Sequence, residues 1–201
     1  KIGTSVKISH SAGEQKEHNI DVYATNGLFV ELMLGLFASA MILIFKEEFL
    51  SIFNIQSQVV IDYALMYIPI VGGLIFIQFL SNGFSAINEG LGQTKINLMI
   101  LAVGFLMNIA LDPLLILVFK WGIQGAAIAT VFAQAVTVLV FYIVYRRHNP
   151  DYHIFRLKNI DLNAVKDIVR VGFPVGLHSM LFTCISIYIA TLVFAFGDNV
   201  V

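Results

Sequence analysis

We predict an all-α membrane protein, a polytopic bundle of transmembrane helices, from two properties of the sequence. Of its 201 residues, 58% are hydrophobic and only 12% are charged, whereas soluble domains contain about 45–50% apolar and about 25% charged residues. The mean hydropathy of +0.84 agrees with this composition. The second property is that the apolar residues form runs long enough to cross a hydrocarbon core, which takes about 20 helical residues.

Five such runs follow one another along the chain. The fourth is the plainest, because no charged residue lies between Gly125 and Tyr145. The runs cover residues 27–45, 59–81, 96–119, 124–145 and 171–197. We therefore predict five transmembrane helices, of which the third and fourth are antiparallel neighbours because their connection is very short.

The basic residues indicate an orientation in the membrane. Ten of the twelve Lys and Arg residues lie in three polar segments, and only Lys46 and Lys120 lie in the other loops. Because Lys and Arg concentrate in cytoplasmic loops, we expect residues 1–26, 82–95 and 146–170 on the cytoplasmic side of the inner (cytoplasmic) membrane. The lipid bilayer is then an expected partner, and no nucleic acid is expected.

The polar segments carry three further predictions. Residues 1–26 are interpreted as a solvated connector that contains the end of a helix. The charged stretch from Ile160 to Val171 is typical of a short amphipathic helix on the membrane surface, leading into the last span. Since the chain starts with Lys1 and five spans would place its ends on opposite sides, we interpret it as part of a longer protein.

Proline interrupts three of the runs. Pro69, Pro113 and Pro174 each lack a backbone donor, so each leaves a carbonyl group that neighbouring groups must satisfy inside a membrane. Two interpretations stay open at this point. The prolines are either ordinary kinks or bends at which helices move between two states.

A carboxylate inside the third run is the strongest candidate for a functional site. A charged side chain near the bilayer centre costs about 2.5–3.5 kcal/mol on insertion scales, so an acid at such a position indicates function. Asn108 precedes Asp112 by one helical turn on the same face, and we expect Thr130 of the next helix at a similar depth. These oxygens suit Na⁺ or a hydrogen-bond cage around a protonatable acid. The structural alternative is that Asp112 caps a break at Pro113.

Other polar residues in the runs are weaker candidates. Glu31 and Asp62 lie near the ends of their runs, where solvated positions are expected. Three single polar residues are expected to form interhelical hydrogen bonds; these are Gln78, Gln134 and His178. Gln78 is also a candidate cavity-lining residue, as is Tyr67.

The sequence contains no motif that indicates catalysis. The segment from Gly90 to Lys95 looks like a phosphate loop, but it lacks the required spacing and no predicted strand precedes it. The patterns HExxH, GxSxG and CxxC do not occur. We therefore expect that the protein is not an enzyme.

Two motifs in combination resemble the MATE family of multidrug and toxic compound extrusion transporters, and especially its bacterial multidrug-efflux branch. The first is Asn108-Ile-Ala-Leu-Asp112-Pro113-Leu-Leu-Ile, and the second is Gly122-Ile-Gln-Gly125-Ala126-Ala127-Ile-Ala129-Thr130. Supporting similarities are Gly90-Leu-Gly92-Gln-Thr94-Lys95 and Gly172-Phe-Pro174-Val. Together these segments cover essentially the whole chain.

The resemblance implies a twelve-helix transporter with two lobes of six helices around a central cavity. Residues 1–147 would contain the end of helix two and helices three to six of the N-lobe. Residues 148–170 would be the cytoplasmic connection between the lobes, and residues 171–201 would be helix seven, the first of the C-lobe.

The resemblance also implies roles for individual residues. The family has a cation or proton site formed by an Asn and an Asp on helix five and a Thr on helix six, which correspond to Asn108, Asp112 and Thr130. Some members use a tyrosine on helix four, for which Tyr67 is the equivalent by position. The family's acid on helix one has no counterpart in this chain.

The implied function is that of a cation-coupled antiporter that exports organic, often cationic, drugs and toxic compounds. H⁺ or Na⁺ would be the coupling ion, without another metal or cofactor, and the partners would be small organic molecules and the remaining helices of the full-length protein. The chain departs from the family at two positions: the family often has Arg at the position of Glu89 and Pro at the position of Asn97. Two alternatives stay open: a flippase for lipid-linked precursors, which predicts a basic cavity, and a membrane scaffold subunit that does not transport.

Overall fold

The computed structural model describes residues 1–51, 57–149 and 159–197, and every regular element in these ranges is a helix. The helices are α1 (Ile2–Gly13), α2 (Glu17–Ile44), α3 (Lys46–Ser51), α4 (Gln58–Gly73), α5 (Phe76–Gly90), α6 (Thr94–Pro113), α7 (Gly122–His148) and α8 (Leu162–Gly197), with a π-helical turn at Leu114–Val118. The predicted all-α membrane bundle is confirmed. Residues 150–158 and 198–201, which belong to the predicted segments 146–170 and 171–201, lie outside the described residues.

The long apolar helices correspond to the five predicted runs. Four stretches are long and apolar enough to cross a membrane singly, namely Glu17–Ile44, Thr94–Val118, Gly122–His148 and Leu162–Ser186. The fifth candidate consists of α4 and α5 together, which are bent by 42° with respect to each other. The helices continue beyond the apolar runs because helical hydrogen bonding does not stop where the chain becomes polar.

The main apolar core lies where α1, α2, α5 and α7 meet. Its buried members are Ile8, Ile20, Ala24, Leu28, Phe84, Ile87, Ile100, Phe141 and Tyr145. By contrast, most large apolar side chains of α6 and α8 are exposed, such as Leu98 at 68% and Phe182 at 67%. Such surfaces are expected on helices that face lipid or further helices, because lipid tails are as apolar as these side chains.

The structure corrects the interpretation of residues 1–26 as a solvated connector. Within α1, Thr4, Ile8 and Ser11 are buried, and α1 packs against α2, α5 and α8. A Cβ added at Gly90 of α5 would lie only 2.8 Å from the Cβ of Ile8. The sequence pattern did not reveal this burial because the packed face of α1 consists largely of small and hydroxyl-bearing residues rather than an apolar stripe.

The structure also corrects the prediction of a separate surface helix before the last span. Residues 162–197 form one continuous helix, α8, with Pro174 in its interior. The start of α8 is held by α2, where the buried side chain of Asn26 donates to the Asn159 carbonyl at 2.8 Å and accepts from the Asp161 amide at 3.0 Å. Asp167 accepts hydrogen bonds from Lys7 at 3.0 Å and Tyr23 at 3.2 Å.

The bend between α4 and α5 follows a glycine pair and does not lie at Pro69 itself. α4 ends at Gly73 and α5 begins at Phe76. The Ser39 hydroxyl of α2 donates to the Gly73 carbonyl at 2.5 Å, so a neighbouring helix satisfies an acceptor released by the bend. A Cβ at Gly35 would lie 2.7 Å from the Cα of Phe76, which shows how closely α2 packs against the start of α5.

Candidate functional site

The antiparallel pair of α6 and α7 builds the candidate site. The two helices pack extensively on each other, and the turn between them uses positive φ angles of 56° at Lys120 and 57° at Gly122. Small residues allow the close approach: a Cβ at Gly104 would overlap the Thr137 hydroxyl, and a Cβ at Gly125 would come 3.0 Å from backbone atoms of Leu115. In lipid, such contacts between small residues and backbones are a main source of helix association.

Asn108 links the two polar partners predicted from the sequence. Its Nδ2 lies 3.4 Å from Asp112 Oδ1 on the same helix and 3.4 Å from Thr130 Oγ1 on α7. The Thr130 hydroxyl donates to the Ala126 carbonyl at 3.0 Å, so its lone pairs are available to the Asn108 amide. The structure thus brings the three side chains together, whereas their role in ion coupling stays a prediction.

The hydrogen bonds of this site are long. N–H···O bonds in proteins most often measure about 2.9–3.0 Å, and both Asn108 contacts are longer. All three side chains are half-buried. A carboxylate beside an amide and a hydroxyl offers several oxygen atoms to a small cation, while the capping alternative stays open.

The backbone beside the acid is irregular. α6 ends at Pro113, directly after Asp112, and the chain continues through the π-helical turn Leu114–Val118. The Phe119 amide donates to the Leu114 carbonyl at 3.0 Å. π-helical turns within helices occur frequently at functional sites, and this one places the carboxylate at a point where the helix geometry changes.

A cavity of about 200 Å³ opens beside Asn108 and Thr130. Side chains from three helices form its wall, and those able to form hydrogen bonds are Gln78, Ser81, Asn108, Thr130, Gln134 and Thr137. Among the described residues that line it there is no charged side chain. The described cavity wall is therefore uncharged and mixed, with these polar side chains beside apolar ones such as Leu101 and Phe105, and it is continuous with the Asn108 and Thr130 end of the site.

The cavity involves one of the two predicted lining residues. Gln78 lies on its wall, whereas Tyr67 is not among the residues that line it, because Tyr67 belongs to α4 and the cavity is formed by α5 beyond the 42° bend. The predicted role of Tyr67 remains without support. Gln78 lies 3.4 Å from Asn82 of its own helix, so the described bond is not the interhelical one that was expected.

Sequence reasoning missed Ser81 and Thr137 as wall residues. A signal was present, since Thr130, Gln134 and Thr137 follow one another at steps of four and three residues on α7. Such residues share a helix face. Each of them alone is unremarkable in a membrane helix, so only the contact with α5 and α6 identifies the stripe as a wall.

Of the other two acids of the spans, Glu31 has different surroundings from those predicted, and Asp62 does not. Glu31 is not solvated, since only 5% of it is exposed and α1 covers it. Asp62 is exposed, as expected, and accepts a hydrogen bond from Gln58 at 3.1 Å. His178 is exposed on α8. None of these residues lines the cavity beside Asn108.

Comparisons with known proteins agree with the resemblance. The family model MatE matches residues 1–114. "Probable multidrug resistance protein YpnP" of Bacillus subtilis is 34% identical over 131 residues, which are 64% of this chain and 28% of that protein. "Probable multidrug resistance protein YoeA" of the same organism is 27% identical over 98% of this chain and 44% of its own length.

Solved structures give the same result. The outward-facing conformation of a multidrug resistance MATE family transporter superposes with a TM-score of 0.80 and 27% identity, over 93% of this chain and 42% of that chain. The chain thus spans less than half the length of the relatives that it matches. The family match covers more than half of the chain and includes Asn108 and Asp112, and the chain therefore belongs to the MatE family of multidrug transporters.

Proposed function

We propose that this chain is part of a cation-coupled antiporter of the cytoplasmic membrane that exports organic, often cationic, drugs and toxic compounds. The observation that carries the proposal is the carboxylate of Asp112 in an apolar span, linked through Asn108 to Thr130 of the neighbouring helix. A charged side chain inside a span is costly, so an acid at this position indicates a function. H⁺ or Na⁺ entering at this site would drive the export.

The irregular backbone suggests how ion binding would be coupled to movement. A cation or proton at Asp112 changes the charge of the carboxylate. This alters its attraction for Asn108, next to the irregular backbone at Pro113 and Leu114–Val118. A ligand shifts a conformational equilibrium only by its difference in affinity for the two states. The proposed difference lies in the packing of α6 and its π-helical end against α7.

The division into lobes and the sidedness are part of the same proposal: residues 1–147 in the N-lobe, residues 148–170 as the connection and residues 171–201 as the first C-lobe helix. The three segments predicted to be cytoplasmic contact one another at one end of the bundle. These contacts are Lys7 with Asp167 at 3.0 Å, Gln93 with Asn149 at 3.1 Å, and Lys1 with Glu89 at 2.8 Å. Loops on one side of a membrane must lie at one end of the bundle, which supports this assignment.

The decisive experiment replaces the acid in the full-length protein. Asp112→Asn keeps the size and the hydrogen bonding of the side chain but removes its ability to ionise, so we expect efflux of a cationic dye to fall at least about tenfold, equivalent to about 1.4 kcal/mol. Asp62→Asn is the matched control, since Asp62 is exposed near the start of α4, and its efflux should be unchanged. Equal amounts of protein in the membrane must be verified for both variants.

Two outcomes would contradict the proposal. Unchanged dye efflux in Asp112→Asn would remove the coupling role of the carboxylate. Efflux that ignores both a pH gradient and a Na⁺ gradient in vesicles would exclude cation coupling and favour a different transport mechanism or a scaffold role. A flippase is disfavoured by the cavity, since Lys and Arg are absent from the described residues on its wall.

A further inference from the structure

Polar and apolar layers alternate along the three helices that surround the cavity. The cavity wall includes Ser81 on α5, Gly104 on α6 and Thr137 on α7. Towards the end of the bundle at which Glu89 lies, the next buried residues of these helices include the apolar Phe84, Ile100 and Phe141, with Ser85 of α5 buried next to Phe84. Further along still, each helix again carries polar side chains, so two polar regions are separated within one bundle.

The apolar layer consists of Phe84 on α5, Ile100 on α6 and Phe141 on α7. These residues are 3%, 4% and 0% exposed, respectively, and belong to one buried cluster. The rings of Phe84 and Phe141 stack with a centroid distance of 6.1 Å. Each residue of the apolar layer is three or four positions along its helix from a residue of the cavity wall, which is a distance of about 5 Å along the helix axis. The layer is therefore one residue thick on each helix.

The second polar region lies on the other side of this layer and is centred on Glu89. The Ser85 hydroxyl and the Asn97 amide each donate to Glu89 Oε1 at 3.1 Å. The Glu89 side chain is 32% exposed, so this region reaches the surface. Glu89 of α5 and Asn97 of α6 are thus in direct contact across the two helices.

Two buried polar atoms indicate that this region takes up water. Asn88 Nδ2 and Asn97 Oδ1 are inaccessible and have no hydrogen-bond partner among the described residues. Asn88 and Asn97 are only 2% and 4% exposed. Buried polar groups are nearly always hydrogen-bonded, either to protein or to internal water. Internal water is therefore the expected partner of these two atoms on the Glu89 side.

We propose that α5, α6 and α7 form a proton route between the Asn108–Asp112 site and the Glu89 end of the bundle, closed by a hydrophobic barrier of Phe84, Ile100 and Phe141. This rests on the proposed function only in taking Asp112 as the proton carrier. Asp112 does not itself line the cavity but contacts Asn108 of its wall. Its carboxyl group releases its proton to water beside Asn108, water relays it through the cavity, and a proton appears in the solution at Glu89. No other reactant takes part.

The packing of the helices provides a way to open the barrier. Of the three helix pairs around the layer, α5 and α6 pack least extensively, whereas α5 is held by α1, α2 and α7. Hydrophobic constrictions conduct only when water fills them. A small displacement of α6 with Ile100 from Phe84 would admit a chain of water molecules, and the return of Ile100 would break it.

The test measures proton flux through the full-length protein in liposomes that contain a pH-sensitive dye, under an imposed pH gradient and without drug. We expect Ile100→Ser to raise the flux about tenfold over the unmodified protein, because a polar side chain wets the constriction. Leu98→Ser is the control, since Leu98 is on the same helix but 68% exposed on its outer face. Its flux should equal that of the unmodified protein.

Ile100→Ala is the second variant, because it thins the barrier without burying a hydroxyl group, and a smaller increase is expected. Adding Glu89→Gln to Ile100→Ser should lower the flux again, since it removes the proton acceptor at the mouth of the route. Unchanged flux in both Ile100 variants, with protein that is monodisperse, would overturn the proposal. If Ile100→Ser raises the proton flux but adding Glu89→Gln does not lower it, the route does not end at Glu89.

The two proposals fail in different ways. If Asp112→Asn abolishes dye efflux but the Ile100 variants do not leak, the coupling site stands and the proton route is wrong. If the Ile100 variants leak but Asp112→Asn transports normally, the barrier stands and the coupling role of Asp112 is wrong.

Discussion

Glu89 and Asp112 are both carboxylates of the same helix bundle, and their surroundings differ. Glu89 Oε1 has three partners at 2.8–3.1 Å, from Lys1, Ser85 and Asn97. Asp112 has one described partner, Asn108, at 3.4 Å, and irregular backbone follows it. One end of the bundle thus holds its acid in a network of short bonds, and the other end leaves its acid loosely bonded beside a cavity.

The Glu89 end and the Asp112 end of the bundle also differ in their other contacts. The Glu89 end contains the apolar core, the Lys7–Asp167 ion pair and the Asn26 contacts to the start of α8. The Asp112 end contains the cavity and the π-helical turn. Low local stability is expected of elements that move during function. The first end therefore has the denser network of short contacts, whereas the cavity and the irregular backbone lie at the second.

The largest expected effect tests the stable end. Asn26→Ala in the full-length protein removes three hydrogen bonds of a side chain that is 0% exposed, to the Val22 and Asn159 carbonyls and from the Asp161 amide. At about 1 kcal/mol for each bond, we expect the free energy of unfolding to fall by about 3 kcal/mol. Thermal unfolding in detergent measures it, with the half-buried Asn19→Ala on the same helix as the control. A loss similar to that of the control would show that α8 is held by other contacts.

The second effect tests whether the cavity end also depends on tight packing. A Cβ at Gly104 would overlap the Thr137 hydroxyl, which donates to the Ala133 carbonyl at 2.7 Å. We expect Gly104→Ala to lower the free energy of unfolding by about 1–2 kcal/mol through overpacking. Thr137→Ala in the same protein should restore most of that loss by making room.

Gly176→Ala is the matched control for Gly104→Ala, because nothing lies within 4 Å of a Cβ added there, and it should not destabilise the protein. If Gly104→Ala were equally harmless, α6 and α7 would have to adjust easily around the cavity. The helix pair of α6 and α7 would then itself be able to move.

The smallest effect compares the two acids directly. Glu89→Gln exchanges a charged acceptor of short bonds for a neutral one, and because the side chain is part-exposed we expect a loss of about 1 kcal/mol in the free energy of unfolding. Asp112→Asn should change it by less than about 0.5 kcal/mol, although we expect it to lower efflux at least about tenfold. Chemical denaturation of both variants under one set of conditions measures the pair. Equal losses would contradict the difference in bonding between the two carboxylates.

Much of this molecule was predictable from local sequence. The spans follow from the length of apolar runs, and the shared face of Asn108 and Asp112 follows from helical periodicity, since both are properties of neighbouring residues. The antiparallel pairing of α6 and α7 follows from their short turn. The position of Thr130 beside Asn108 could be predicted from this pairing and from the estimated depth of Thr130 in the membrane.

Other features depended on contacts between distant parts of the chain. The burial of α1 was not predictable because its packed face is not an apolar stripe, and the burial of Glu31 depends on α1 lying over α2. The bend lies after Gly73 rather than at Pro69, and the carbonyl of Gly73 is satisfied by Ser39 of another helix. Tyr67 lies before that bend, and this separates it from the cavity wall.

By itself, the sequence determined an all-α membrane bundle with an acid and an amide on one face of a span, because hydropathy and helical spacing act over a few turns. Only the tertiary structure decided what surrounds that acid. The cavity, the Phe84–Ile100–Phe141 layer and the Glu89 network each combine residues from α5, α6 and other helices. Their existence depends on how closely the helices approach, which no single segment of the chain specifies.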